Sequence, residues 1–128
     1  MVVDSSAIVA ILEEEPDGPA LLRRLVEAGT RRISAATLLE AAIVLEAKSG
    51  EIAGDQLDLF LARGGIAVED VTADQIRIAR KAWRKFGKGS EHPAGLNYGD
   101  CFSYALAKAF GEELLFKGGD FGETDVNP

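Results

Sequence analysis

Four acidic side chains, each next to a predicted strand or helix end, are the residues of this 128-residue chain best suited to chemistry. This acidic quartet consists of Asp4, Glu40, Asp100 and Asp120. Carboxylates gathered in one place raise one another's pKa values and destabilise a fold unless a cation neutralises them. The chain has one Cys and one His, too few for a structural zinc site or a dithiol centre. An all-oxygen set instead favours Mg²⁺ or Mn²⁺, which can activate water and stabilise charge on a phosphoryl oxygen.

The elements that must position these carboxylates alternate along the chain. Short apolar segments predict strands at residues 1–3, 32–35, 66–68 and 114–116. Helical spacing, capping signals and Gly/Pro breaks predict helices at about residues 7–12, 19–26, 37–48, 55–63, 72–86 and 97–111. Alternation of this kind predicts an α/β fold with three α/β/α layers, in which helices flank a short parallel sheet. The length predicts one domain over residues 1–128.

The predicted topology brings the acidic quartet to one edge of the sheet. Asp4 closes the first strand, Asp120 follows the last, and Glu40 lies in the first turn of the helix after the second. Asp100 begins a helix that runs antiparallel to the last strand, so it meets the same edge. Ligands bind at that edge in open α/β sheets. Each acid also has a structural interpretation: Asp4 as a helix cap, Glu40 as the partner of Thr37 in a capping box, Asp100 as a favourable charge at the start of its helix dipole, and Asp120 as turn chemistry.

Charge is unevenly distributed. The net charge is −7, yet residues 76–92 hold six basic residues and one acidic residue. The basic residues recur every three or four positions on one helix: Arg77, Arg80, Lys81, Arg84, Lys85 and Lys88. The opposite face carries an apolar stripe: Ile76, Ala79, Trp83 and Phe86. The basic face is either an RNA phosphate contact or a solvated surface. Trp83 either stacks on a base or packs in the core, and its place in the apolar stripe favours the core.

Other features set expectations about compartment and exclude some chemistries. An unpaired Cys101 fits the reducing cytoplasm, and we expect that location. The apolar opening contains Asp4 and no basic leader, so we expect no signal peptide, and no apolar run is long enough to predict a membrane span. Cys101 is expected to be a buried apolar residue, and His92 to serve loop geometry.

Two stretches of the sequence resemble a known family. Residues 87–107 contain Gly-Lys-Gly, His-Pro-Ala and Leu-Asn-Tyr-Gly-Asp-Cys-Phe-Ser-Tyr-Ala-Leu-Ala, and residues 114–126 contain Leu-Leu-Phe-Lys-Gly-Gly-Asp-Phe. Together with Val-Asp-Ser-Ser-Ala at residues 3–7 and the segment around Glu40, they resemble the PIN-domain nucleases, and within these the VapC-type toxins of bacterial toxin-antitoxin pairs.

The resemblance implies roles for individual residues. The acidic quartet would be catalytic, with Asp4 and Asp100 as the foremost direct Mg²⁺ ligands and Asp120 as a third. Ser6 matches the hydroxyl that supports the first aspartate, and Asp125 would be an additional acid. The activity implied is Mg²⁺-dependent endoribonuclease cleavage, with Mn²⁺ as a possible substitute. The partners implied are RNA, a second copy of the chain in a homodimer, and a VapB-type antitoxin whose basic tail enters the acidic cleft.

Three other functions fit parts of the sequence. A phosphoacceptor receiver domain would use Asp70 and Lys117, but the adjacent acidic pair expected after its first strand is missing. A phosphatase would use Asp4 as its nucleophile, but Ser6 stands where its acid is expected. A PIN-like scaffold without catalysis would only bind a partner.

Overall fold

A four-stranded parallel sheet positions the acidic residues. The computed structural model describes residues 1–126, which form four strands and six α-helices. The strands are β1 (Val2–Val3), β2 (Arg32–Ser34), β3 (Ala67–Glu69) and β4 (Leu114–Leu115). The helices are α1 (Ser5–Leu12), α2 (Gly18–Glu27), α3 (Ala35–Ser49), α4 (Glu51–Gly64), α5 (Ala73–Phe86) and α6 (Tyr98–Phe110), followed by a short 3-10 helix (Phe121–Glu123).

The strand order is β3-β2-β1-β4, and every pair is parallel. Central β1 pairs with both neighbours, since Val2 lies opposite Arg32 on one side and Leu114 on the other. The chain leaves β1 towards β2 and returns to the opposite side at β4. The strand order therefore switches direction beside β1, and in open α/β sheets ligands bind at the carboxyl ends of the strands at such a switch point.

Alternating side chains of the strands enter two cores. Val3 and Leu115 belong to a cluster with Ile8, whereas Val2 and Leu114 belong to another with Leu106. Successive strand residues point to opposite faces, so each face of the sheet is covered by its own helices. This arrangement confirms the predicted α/β/α layers. The edge strand β3 departs from the expected burial because Val68 is half exposed.

Some element boundaries differ from the prediction. Helix α3 begins at Ala35, because the hydroxyl of Ser34 accepts the Ala36 N–H and caps it. Thr37 therefore lies inside the helix and is buried, so the predicted capping box with Glu40 is wrong. The caps predicted at Thr72 and Asn97 are confirmed, the latter with its full capping box. No described helix has both the length and the apolar character needed to cross a bilayer.

The buried face of α5 is also different. Its buried residues are Gln75, Ala79, Ala82 and Phe86. Small side chains on both helices, among them Ala79, Cys101 and Ala105, let α5 and α6 approach closely. A tryptophan does not fit into such a contact, so Trp83 lies at the surface and its predicted core position is wrong.

Candidate active site

Asp4 lies at the carboxyl end of β1 and is the N-cap of α1. Its carboxylate Oδ2 accepts hydrogen bonds from the Ser6 backbone N–H at 3.0 Å and the Ser6 hydroxyl at 2.7 Å. Its Oδ1 accepts one from the Ser103 hydroxyl at 2.6 Å. The residue is only 2% exposed. Capping therefore accounts for Oδ2, while Oδ1 retains an unused acceptor direction.

The two hydroxyls that donate hydrogen bonds to Asp4 are themselves fixed by further hydrogen bonds. A carboxylate only accepts, so Ser103 donates its single proton to Asp4 and must accept from the Thr37 hydroxyl, 3.1 Å away. The Ser6 hydroxyl likewise donates to Asp4 and accepts the Lys117 backbone N–H at 3.0 Å. Strand ends and helices from four parts of the chain thus fix one carboxylate.

Glu40 reaches the same edge from the second turn of α3. Its Oε1 accepts a hydrogen bond from the Ser5 hydroxyl at 2.7 Å. Its Oε2 lies against Gly99 in the first turn of α6, where an added Cβ would come within 2.1 Å of that oxygen. Gly99 therefore leaves the space that the Glu40 carboxylate occupies beside Asp100.

Gly99→Ala is expected to displace the Glu40 carboxylate and reduce activity about ten-fold, because misplaced groups lose much of their catalytic effect. The free energy of unfolding should change by less than about 1 kcal/mol, because the displaced atoms end a flexible side chain and alanine favours the helix. Cleavage kinetics and urea unfolding measure the two effects.

Gly54→Ala is the matched control. A Cβ there would meet the Glu46 carboxylate at 2.5 Å, also the end of a flexible side chain, on the α3–α4 surface. Unchanged activity is expected. Equal activity losses in both variants would contradict a role for the space at Gly99.

Asp100 is the third residue of α6 and completes its capping box. Its Oδ2 accepts the Asn97 backbone N–H at 3.0 Å. Burial raises the pKa of Asp100 from 3.8 to about 6, and the negative charges of Asp4, Asp120 and Glu40 add to the increase, against the lowering effect of the Asn97 hydrogen bond. The four carboxylates of the acidic quartet therefore share one electrostatic environment.

This raised pKa predicts how stability depends on pH in the metal-free protein. Below its unfolded pKa of 3.8, Asp100 is protonated in the folded and the unfolded protein and does not affect the free energy of unfolding. That free energy falls as the pH rises from 3.8 through about 6, because the unfolded protein loses the proton more readily than the folded one. Asp100→Asn retains an acceptor for the cap and should raise the free energy of unfolding by about 1–2 kcal/mol near pH 8, after discounting for solvent screening. Near pH 3 the two proteins should be equally stable. Urea unfolding in EDTA tests this, and a pH-independent difference would contradict it.

The remaining two predicted acids differ in placement. Asp120 is exposed, precedes the 3-10 helix without capping it through its side chain, and contributes its charge to Asp100. Asp125 instead accepts hydrogen bonds from the Tyr104 hydroxyl at 2.5 Å and the Lys108 ammonium at 3.2 Å. Both bonds lower the pKa of Asp125, the Tyr104 bond most strongly. Asp125 thus connects the end of the described chain to α6 through these hydrogen bonds. It is not among the charges that raise the pKa of Asp100.

The donor chemistry fits a hydrated divalent ion better than a closed protein cage. Within residues 1–126, no three His, Cys, Asp or Glu side chains form a ready-made metal-binding group. Asp4, Asp100 and Asp120 therefore do not form a preformed three-carboxylate metal site among the described residues. Mg²⁺ commonly uses one or two carboxylates and keeps several waters, which suits Asp4 and Asp100 with the other acids acting through water.

Residues singled out for other chemistries lie outside this arrangement. Cys101 is buried, and burial raises the pKa of its thiol, as expected for a structural cysteine. His92 accepts the Ala94 N–H through Nδ1 and packs edge-on against Phe86, which confirms a role in loop geometry. The Lys117 ammonium, which a receiver domain would need at its site, instead bonds to Glu15.

Sequence reasoning missed the residues that orient the acids. Ser5, Thr37, Gly99 and Ser103 contact or support Asp4 and Glu40. One signal was available, because Ser103 is a small polar residue in an otherwise apolar stretch of α6, three positions after Asp100. Residues three apart share a helix face, so Ser103 could have been placed beside the site.

Comparisons with known proteins agree with this architecture. The family model described as PIN domain matches residues 1–127. The chain is 54% identical to a "Ribonuclease VapC" of Mycolicibacterium smegmatis over 98% of this chain and 97% of that protein. Among solved structures, it is similar in fold to Mycobacterium tuberculosis VapC20, described as a Sarcin-Ricin loop cleaving toxin, with a TM-score of 0.76 and 21% identity over 98% of this chain and 95% of that one.

A second solved structure is VapBC2 from Rickettsia felis bound to a DNA fragment from their promoter. It has a TM-score of 0.76 and 19% identity, and the match covers 97% of this chain and 92% of that one. The family match spans nearly the whole sequence, and it favours the nuclease interpretation over the receiver and phosphatase alternatives. The chain therefore belongs to the PIN-domain family and, within it, to the VapC ribonucleases.

Proposed function

We propose that this protein is a Mg²⁺-dependent endoribonuclease, the toxin of a VapBC-type toxin-antitoxin pair. The observation that carries the proposal is the shared environment of the acidic quartet, in which burial first, and then the charges of three other carboxylates, raise the pKa of Asp100. Such an arrangement is stabilised by a divalent cation. The names of the curated relatives support RNA as the substrate class.

Asp4 and Asp100 would hold the ion. Asp4 suits this role because three hydrogen bonds from Ser6 and Ser103 fix its carboxylate and leave Oδ1 a free acceptor direction. Glu40, fixed by Ser5, and the exposed Asp120 would accept hydrogen bonds from water or orient the nucleophile. Mg²⁺, or Mn²⁺ in its place, would lower the pKa of water and neutralise charge on the scissile phosphate.

The chemistry proposed is hydrolysis of an RNA phosphodiester bond. Water attacks the phosphorus in line, the bond to the 3′-oxygen breaks, and that oxygen takes up a proton. The products carry a 5′-phosphate and a 3′-hydroxyl. The 2′-hydroxyl takes no part, consistent with a sequence that has one His and so lacks a histidine pair for acid-base catalysis through that group.

Two protein partners belong to the same proposal. An antitoxin of the VapB type would place a basic tail over the acidic quartet, where the cluster of carboxylates and the net charge of −7 favour a cationic segment. A second copy of the chain would form a homodimer, and sedimentation of the purified protein tests this. The proposed site of action is the cytoplasm.

Analysis of product ends tests the activity. Purified protein is incubated with total cellular RNA and Mg²⁺, and new ends are sequenced with and without prior phosphatase treatment. We expect cleavage that EDTA stops and that restored Mg²⁺ or Mn²⁺ recovers, with 5′-phosphate ends. Cleavage in EDTA, or 2′,3′-cyclic phosphate ends, would contradict the mechanism. Complete absence of cleavage would favour a non-catalytic scaffold.

A further inference from the structure

A groove between α5 and α6 contains no residue of the acidic quartet and is not used by the proposed mechanism. Its volume is about 650 Å³. Apart from the Cys101 thiol and two guanidinium groups, the walls are aromatic or aliphatic. The residues that matter here are Ile76, Arg80, Trp83, Arg84, Tyr98 and Phe102.

The aromatic side chains present exposed surface to this groove. Tyr98 is 80% exposed and Trp83 is 46% exposed. Tyr98 packs edge-on against Phe102, with ring centroids 5.0 Å apart, which orients the tyrosine ring. A Cβ at Gly87 would lie 2.5 Å from Cε3 of the Trp83 ring, so the glycine lets the indole pack closely against the backbone. The two exposed rings are therefore supported by the fold.

The charge of the groove is opposite to that of most of the molecule. Arg80 and Arg84 are the two members of the basic helix face that line it, and both are exposed. Neither forms an ion pair with any residue in the described range, whereas Arg77 pairs with Asp74. Free guanidinium groups beside aromatic rings suit an anionic ligand that also carries flat rings.

Position relates the groove to the acids. Tyr98 and Phe102 line the groove, while Asp100 and Ser103 of the same helix belong to the site or support it. The two sets lie on different sides of the first turns of α6, because successive residues rotate by about 100°. One helix diameter, about 10–12 Å, therefore separates the groove from the Asp100 side of α6.

We propose that this groove binds an unpaired base of the RNA substrate, a few nucleotides from the scissile phosphate, by stacking it on Trp83 and Tyr98 while Arg80 and Arg84 contact the adjoining phosphates. This rests on the proposed ribonuclease function and adds to it a site that selects single-stranded RNA. Aromatic platforms flanked by basic residues bind single-stranded nucleic acid in this way, with little dependence on sequence. In a two-fold dimer built on this groove, Arg80 and Arg84 would face their own copies and repel, so the positive charge favours anionic RNA over a second copy of the chain.

Trp83 is the only tryptophan in the chain, so its fluorescence reports on the groove directly. Single-stranded oligoadenylate RNA is titrated into the protein in EDTA, with inorganic polyphosphate as a polyanion that has no bases. We expect saturable quenching of Trp83 emission by the RNA and none by polyphosphate. Trp83→Ala should weaken RNA binding about ten-fold or more, and Trp83→Phe should retain most of it because a ring remains.

Phe110→Ala is the control, since Phe110 is similarly exposed at the opposite end of α6 and lies outside the groove. Its RNA affinity should equal that of the wild type. In cleavage assays, Trp83→Ala should raise KM with little change in kcat. Quenching without any cleavage would support the groove while refuting the ribonuclease.

Three results would overturn the inference. The first is equal quenching by polyphosphate, and the second is unchanged RNA affinity in Trp83→Ala. The third is Trp83 emission that depends on protein concentration and not on RNA, which would assign the groove to a contact between two copies of the chain.

Discussion

Asp4→Asn is expected to lower kcat/KM for RNA cleavage by about 100- to 1,000-fold or more, the range for loss of one aligned electrostatic group. The substitution removes the charge of the most rigidly held carboxylate in the site. Mg²⁺ binding should weaken with it, because a neutral amide oxygen is a poorer ligand for a hard cation. Steady-state cleavage of a labelled RNA over a range of Mg²⁺ concentrations measures both effects.

The fold should survive this substitution. The asparagine Oδ1 can accept the Ser6 N–H and hydroxyl that now bond to Oδ2 of Asp4. The new amide can donate to Ser103, whose proton can turn towards Thr37, 3.1 Å away. Every hydrogen bond therefore has a replacement, and the free energy of unfolding should stay within about 1 kcal/mol of wild type.

Asp17→Asn is the control, because Asp17 is also the N-cap of a helix but lies exposed outside the site. We expect it to cleave RNA at the wild-type rate. Metal-dependent cleavage by Asp4→Asn with kcat/KM near that of wild type would contradict the role given to Asp4.

Ser103→Ala is expected to destabilise the protein by about 1–3 kcal/mol and to reduce cleavage about 10- to 100-fold. Ser103 is fully buried and is the only described donor to Oδ1 of Asp4. Its removal leaves a buried carboxylate oxygen without that hydrogen bond and frees the carboxylate to turn. Urea unfolding and RNA cleavage at one Mg²⁺ concentration measure the two losses.

Thr37→Val is the control for Ser103→Ala. It removes a buried hydroxyl nearby but keeps the hydrogen bond from Ser103 to Asp4. Valine has nearly the shape of threonine, and the change removes only the bond from Thr37 to Ser103, while Ser103 still donates to Asp4. We expect a loss of about 1 kcal/mol in stability and less than about a three-fold change in cleavage. Equal activity losses in the two variants would show that Ser103 has no specific effect through Asp4.

The sequence predicted the sheet and its edge because both depend on local patterns. Val2 and Val3 at the start of the chain, and the caps at Thr72 and Asn97, are signals that neighbouring residues alone determine. The convergence of the acidic quartet followed from parallel topology, and the shifted pKa of Asp100 is consistent with it.

The errors arose where tertiary packing decides. Helix α3 starts at Ala35 because Ser34, and not Thr37, is its N-cap. The Thr37 hydroxyl is therefore available for its hydrogen bond with Ser103. The exposure of Trp83 depended on how closely α5 approaches α6, which small residues on both helices set. Neither contact is encoded in a periodic pattern, so sequence spacing alone could not identify it.

Direct measurement of Mn²⁺ binding by electron paramagnetic resonance tests the central claim, that the acidic quartet binds a divalent cation required for RNA cleavage. Purified wild-type protein is titrated beside Asp4→Asn, Asp100→Asn and the control Asp17→Asn. We predict that wild type and Asp17→Asn bind Mn²⁺ equally, that both site variants bind at least about ten-fold more weakly, and that Mg²⁺ competes. Equal binding by all four proteins, or no binding by the wild type, would contradict the account.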